Sequence, residues 1–219
     1  LETLQLVSHP AHPPVRVRAV AARVLSLDAD WCVLRWKVDG AADLVVPAFA
    51  GRARQDGLWQ TTCFELFVAS PALPLEGEGW AGVYDAREMH DRSGAGHPSQ
   101  TPLPRERAGG ASGAYSEFNF SPSERWAAYD FTGYRAGRAD RAVPRAPVIT
   151  PRRGGDVLFC DVALPTAALA PLPCRYGLTA VLEEADGVKS FWALAHPHEK
   201  PDFHDPSCLG AGLAAPNAA

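Results

Sequence analysis

The sequence predicts an all-β fold, an antiparallel two-sheet β-sandwich carrying a long loop insertion. Three observations point there. Apolar residues recur with period two along several short runs, as strands with one buried face require. Turn-forming residues separate those runs, and hardly any stretch carries the 3.6-residue period of an amphipathic helix. About eight or nine short strands spaced in this way suit a sandwich or a barrel, and sheet-on-sheet packing follows from the need to bury one face of each sheet.

Residues 15 to 38 read as strands, with Val15 and Val17 set around Arg16 and Arg18, then Cys32, Leu34, Trp36 and Val38 alternating with Val33, Arg35 and Lys37. Asp28-Ala29-Asp30 supplies the turn between them. Thr61 to Val68 places Phe64, Leu66 and Val68 on one face and Cys63, Glu65 and Phe67 on the other, too apolar on both sides for an ordinary solvent-facing strand. From Ser70 to Gly113, recurrent Pro, Gly and Ser predict a long surface loop. Strand character resumes at Tyr115 to Phe120 and at Trp126 to Tyr134, with Ser121-Pro122-Ser123-Glu124 turning between them. Residues 157 to 164 place Leu158, Cys160, Val162 and Leu164 on one side, and Pro165 opens a short helical turn. Tyr176 to Leu194 is the clearest hairpin, closed by Glu184-Ala185-Asp186-Gly187.

A chain of 219 residues suffices for one domain that buries roughly 70% of the surface its unfolded form exposes. One domain is expected over 1–209, with an insertion over 74–113 and a flexible Ala/Gly-rich tail at 210–219. With 47% hydrophobic and 21% charged residues, wholesale disorder is excluded, and no apolar run reaches the length of a membrane span. The net charge of -4 comes with no basic stripe to track a phosphate backbone, so nucleic acid is not an expected partner. Cys32, Cys63, Cys160, Cys174 and Cys208 are scattered and odd in number, which argues against a disulfide framework or a zinc ribbon. That usage suits a reducing compartment. Leu1 to Pro14 show no secretory signal, so a cytoplasmic location is the expectation, although the chain begins without methionine.

Register proposes a site. If Phe64, Leu66 and Val68 face the core, Glu65 points the other way; if Phe118 and Phe120 do, then Tyr115, Glu117 and Asn119 share the opposite face. Neighbouring strands lie about 4.8 Å apart, so two carboxyls, an amide, Tyr115 and Phe67 would converge on one half-polar surface. Aromatic rings flanked by hydrogen-bonding groups suit a saccharide. The plainer alternative is that Glu65 and Glu117 are surface acids paired with Arg or Lys. They also have the residue type of a glycosidase acid and base. Trp59, beside the Gly57 turn, is a candidate stacking platform, whereas Trp192 belongs with the core residues Val188 and Leu194.

A second cluster, Ala195 to Pro206, is held extended by three prolines and carries His196, His198, Asp202 and His204. These types bind metals, but their spacing matches no standard zinc signature, and turn-making and backbone-capping roles are the favoured explanation. Lys200, Asp202 and His204 are expected to close one end of the groove.

Three segments carry a resemblance: Leu58-Trp59-Gln60-Thr61-Thr62-Cys63-Phe64-Glu65-Leu66-Phe67, Tyr115-Ser116-Glu117-Phe118-Asn119-Phe120-Ser121-Pro122-Ser123, and Lys200-Pro201-Asp202-Phe203-His204. They resemble the motifs of bacterial DOMON-like domain proteins, over roughly Leu4 to Leu209. The resemblance implies a β-sandwich of a superfamily that includes family-nine carbohydrate-binding modules and recognises sugars or haem. Haem there usually takes a methionine with a histidine or lysine; the only methionine here is Met89, beside His90 in the insertion, which leaves a histidine pair as the remaining route. The expectation is a non-catalytic domain binding a saccharide-like ligand through Trp59, Glu65, Tyr115, Glu117, Asn119, Lys200, Asp202 and His204. Haem binding and glycoside processing are the alternatives.

Overall fold

The computed structural model describes residues 2–69 and 113–216, and within them every strand pairs antiparallel. The insertion expected over 74–113, Met89 and His90 included, lies outside the described residues apart from Gly113. One half of the structure runs β1 (Leu4–Ser8), β2 (Ala19–Leu27), β3 (Trp31–Asp39), β9 (Val157–Pro165) and β8 (Val148–Gly154) in spatial order. The other runs β7 (Ala139–Asp140), β6 (Trp126–Phe131), β5 (Tyr115–Phe120), β4 (Cys63–Ala69), β10 (Cys174–Glu183) and β11 (Lys189–Ala193).

The halves are not separate sheets. β1 pairs with β2 through Leu4 to Leu6 and with β11 through Val7 and Ser8, so the hydrogen bonding runs through all eleven strands as one strongly curled sheet. The curl lays the two inner faces on each other: the Trp36 ring of β3 lies 5.5 Å from Phe64 of β4 and 6.2 Å from Phe120 of β5.

The period-two patterns place the core where the sequence puts it. In β3 and β9 the pairs Cys32–Leu164, Leu34–Val162, Trp36–Cys160 and Val38–Leu158 all face inward and are buried. The outer face of that half is ordinary polar surface, where Arg35 grips Asp161 through two bonds of 2.6 and 2.7 Å. Phe64, Leu66, Val68, Phe118 and Phe120 join the same core. The β10–β11 hairpin closes through Ala185 to Gly187, and Asp186 and Gly187 both take positive φ, the conformation for which an Asp-Gly turn is suited.

Several expectations need correction. Val15 and Val17 are not in a strand; the backbone N–H groups of Val15, Arg16 and Val17 instead converge on the buried Glu184 carboxylate, a demand that straightens no strand and that alternation cannot reveal. β1 and β8 were not anticipated, the latter because it contains Pro151. As the terminal strand of the path, β8 can carry a proline that needs no ladder partner. The segment expected to be a flexible tail forms β12 (Ala211–Leu213) against Cys174–Tyr176 of β10, and Leu213 is buried. All five cysteines are buried and unpaired.

Both faces of β4 and β5 are buried, because the chain after β11 folds back over their outer side. A short 3₁₀ turn, Pro206–Cys208, packs there with Phe203 and Leu209 onto Cys63 and Phe67. The close fit depends on Gly177 of β10, since a Cβ at that position would stand 2.1 Å from the Cys208 carbonyl oxygen. Gly177→Ala is therefore expected to destabilise the protein by about 1–3 kcal/mol, the range for forced overpacking. Gly212→Ala, whose Cβ meets nothing within 4 Å, should leave the thermal midpoint nearly unchanged; equal midpoints for the two variants would show that the covering segment is not tightly docked.

Candidate functional site

Cross-strand register assembles the outer face of this half. One row runs Thr179–Glu65–Asn119–Ala127 across β10, β4, β5 and β6, and the next runs Gly177–Phe67–Glu117–Tyr129. Glu65 and Glu117 are thus diagonal neighbours on adjacent strands, the arrangement that side-chain alternation implies. The covering segment does not seal the face completely. It leaves a half-open cavity of about 570 Å³ with Glu65, Phe67, Glu117, Tyr129 and Phe131 on the sheet side and Phe203 and His204 on the other.

The two carboxyls lie deep, Glu65 at 3% and Glu117 at 7% exposure. Thr179 offers its hydroxyl to Glu65 Oε2 at 3.4 Å, and Oε1 has no hydrogen-bond partner among the described residues. Burial pushes the Glu65 carboxyl well above the ordinary range, and the charge of Glu117 pushes the same way. Glu117 is also raised by burial, but less freely: Asn119 Nδ2 donates to its Oε1 at 2.6 Å, and Arg138 and Arg135 favour its ionised form.

His204 is held by a chain of hydrogen bonds. The Arg135 backbone N–H donates to the Tyr115 hydroxyl at 3.2 Å, and that hydroxyl lies 2.6 Å from His204 Nδ1. Burial, with the Arg135 charge, lowers the imidazole to about 4, so it is neutral near pH 7. A neutral ring that accepts the Tyr115 proton at Nδ1 carries its own proton on Nε2, which lies 3.9 Å from Glu117 Oε2. At neutral pH this contact is therefore not an ion pair. At the rim, burial opposes ionisation of Asp202, yet its carboxyl is held below the usual range by Tyr134, Arg135 and the His204 N–H, with Arg135 at 2.8 Å.

Of the residues proposed from sequence, Trp59, Glu65, Glu117 and His204 line the cavity, and Trp59 stands 56% exposed at its mouth. Tyr115 and Asn119 lie behind it, orienting His204 and Glu117. Asp202 anchors Arg135. Lys200 is exposed and is not among the lining residues: it ends the bend over 198–200, and of the residues that follow only Pro201, Phe203 and His204 line the cavity. His196 and His198 turn away, to the Val7 carbonyl at 2.9 Å and to Asp205 at 2.9 Å. Trp192 lies in the core.

Sequence reasoning missed Tyr129, Phe131, Asp56, Arg135 and Arg138. The first two were within reach, since β6 alternates in register with Glu117 and Tyr115. The arginines come from the turn after β6, where Arg135 has φ 51°, and no periodicity reports on a turn of that kind. Arg138 stacks over the Tyr129 ring at 4.0 Å, while the Tyr129 hydroxyl donates to Asp56 at 2.6 Å.

No protein-family model and no curated protein matches this chain.

The raised Glu65 carboxyl carries a stability consequence with a definite sign. Below the ordinary glutamate range, around pH 4, the group is neutral in both folded and unfolded chains and costs nothing. As pH rises, the unfolded chain loses the proton first, and folding stability falls until the folded value is reached. Glu65→Gln is thus expected to melt several degrees higher than the parent near pH 7.5, with the gain vanishing toward pH 4. A gain independent of pH would show that Glu65 is not held above its ordinary range.

Proposed function

We propose that the chain is a non-catalytic binding domain whose cavity holds a small saccharide-like ligand. The observation carrying this reading is the pairing, in one half-open cavity, of two buried carboxyls on the floor with aromatic rings on the walls and an exposed tryptophan at the mouth. A sugar ring offers an apolar face to such rings and hydroxyl donors to such carboxyls. The facing halves of the curled sheet are, in this proposal, the two leaves of a DOMON-like sandwich, and the three segments that resemble that family supply the floor, its hydrogen-bonded support and the covering segment.

Haem fits this cavity poorly. The two acids occupy the floor where a macrocycle needs apolar contact, and His204, the imidazole on its wall, has Nε2 directed toward Glu117. Glycoside processing draws support from one specific feature. The two carboxyls are diagonal neighbours that both line one cavity, the residue type and pairing that a general acid and base need.

Titration of the protein with mono- and disaccharides, followed by calorimetry, is expected to find at least one ligand. Trp59→Ala should weaken it about tenfold or more while leaving the thermal midpoint in place, since that ring is largely exposed. Failure of every sugar, neutral or charged, would refute the proposal. Turnover of a chromogenic glycoside, abolished by Glu117→Gln, would replace binding with catalysis.

A further inference from the structure

We infer that the ligand of this cavity carries a protonated amine, seated between Glu65 and Glu117, so that its class is an amino sugar or a similarly hydroxylated amine. The inference rests on the saccharide-binding reading of the same site and narrows it.

The starting point is the partnering of charges around the cavity. Three carboxyls line it, Asp56, Glu65 and Glu117, against two guanidinium groups, Arg135 and Arg138. The guanidinium groups are engaged at the rim: Arg135 binds Asp202 at 2.8 Å, and Arg138 lies 3.9 Å from Asp56 and over the Tyr129 ring. The floor acids have nothing comparable. Among the described residues no lysine or arginine nitrogen lies within 4 Å of either, and the histidine beside Glu117 is neutral near pH 7. Glu65, almost fully buried and part of the cavity wall, leaves Oε1 unpartnered.

An ammonium group supplies what is missing. Diagonal neighbours on adjacent antiparallel strands lie about 7–8 Å apart, a span that two glutamate side chains fill when both close on one nitrogen at about 2.8 Å. The third N–H of the amine is left for a hydroxyl or for water. Phe67, two residues along β4 from Glu65 and directly opposite Glu117, places a ring beside both acids, and a cation gains from an aromatic ring's negative face. A neutral hydroxyl also satisfies Oε1, but it leaves both carboxyls above their ordinary range, with Glu65 still holding its proton. A cation between them stabilises the ionised form of both.

The test compares matched pairs. Glucosamine, galactosamine and mannosamine are each titrated calorimetrically near neutral pH beside glucose, galactose and mannose. At least one amine is expected to bind about tenfold or more tightly than its parent sugar. Glu65→Gln, which keeps the shape and the hydrogen-bonding capacity but removes the charge, should bring that pair to similar affinity. Its own melting curve, expected to lie above that of the parent protein, confirms folding. Parent sugars that bind as tightly as their amines, or a preference that survives Glu65→Gln, would overturn the inference and leave the saccharide reading standing. If neither amines nor neutral sugars bind, both fall together.

Discussion

The burial of Glu65 and Glu117 on the outer face of β4 and β5 is the constraint around which this half of the molecule is arranged. A carboxyl removed from water must find donors or keep its proton. Most acids on the outer face of a sheet escape the choice because solvent reaches them. Here the chain after β11 returns across the strands, and Gly177 lets it approach so closely that water is displaced from the face. The acids are held above their ordinary range by the covering segment as much as by the strands that bear them.

That covering segment depends in turn on the curl of the sheet. β1 passes its hydrogen bonds from β2 to β11 within five residues, which closes the inner core and leaves β11 beside β10 with its outer side available. Glu184, at the end of β10, ties the loop before β2 down through three backbone N–H groups. The buried side chains fall into two clusters. Trp36, Phe64 and Phe120 meet in the first, whereas Phe67, Phe203 and Cys208 make up the second, and only the second contains the cavity.

The sequence makes the first core legible and the second only half so. Period-two alternation reports which face of a strand a residue occupies, and so Phe64 and Glu65, or Phe118 and Glu117, are sorted before any coordinates are known. Alternation says nothing about what lies above the outer face. Lys200, Asp202 and His204 sit within five residues of each other in the sequence, yet one is exposed, one anchors a rim arginine and one lines the cavity, because bends and a turn rather than a strand set their directions. Arg135 and Arg138 were hidden for the same reason. β8 and β12 escaped notice because Pro151 and the Ala/Gly-rich end contradict local propensity, which edge pairing overrides.

The single hydroxyl that Glu65 receives among the described residues gains its meaning from how the same chain treats its other acids. Asp161, on the outer face of the opposite half, takes two bonds from Arg35 and a further contact from Arg152, and is held below its ordinary range despite partial burial. Glu184 is as deeply buried as Glu65 and receives three backbone donors. Asp202 has a hydroxyl, a guanidinium and a backbone N–H. The fold thus has the means to satisfy a buried carboxylate and uses them wherever the acid serves the architecture. Glu65, with one hydroxyl at 3.4 Å and a place in the lining of the cavity, receives less than any of these three acids. Departures of that kind concentrate where a chain gives up stability for function, and a missing donor in a cavity is most simply supplied by whatever enters it.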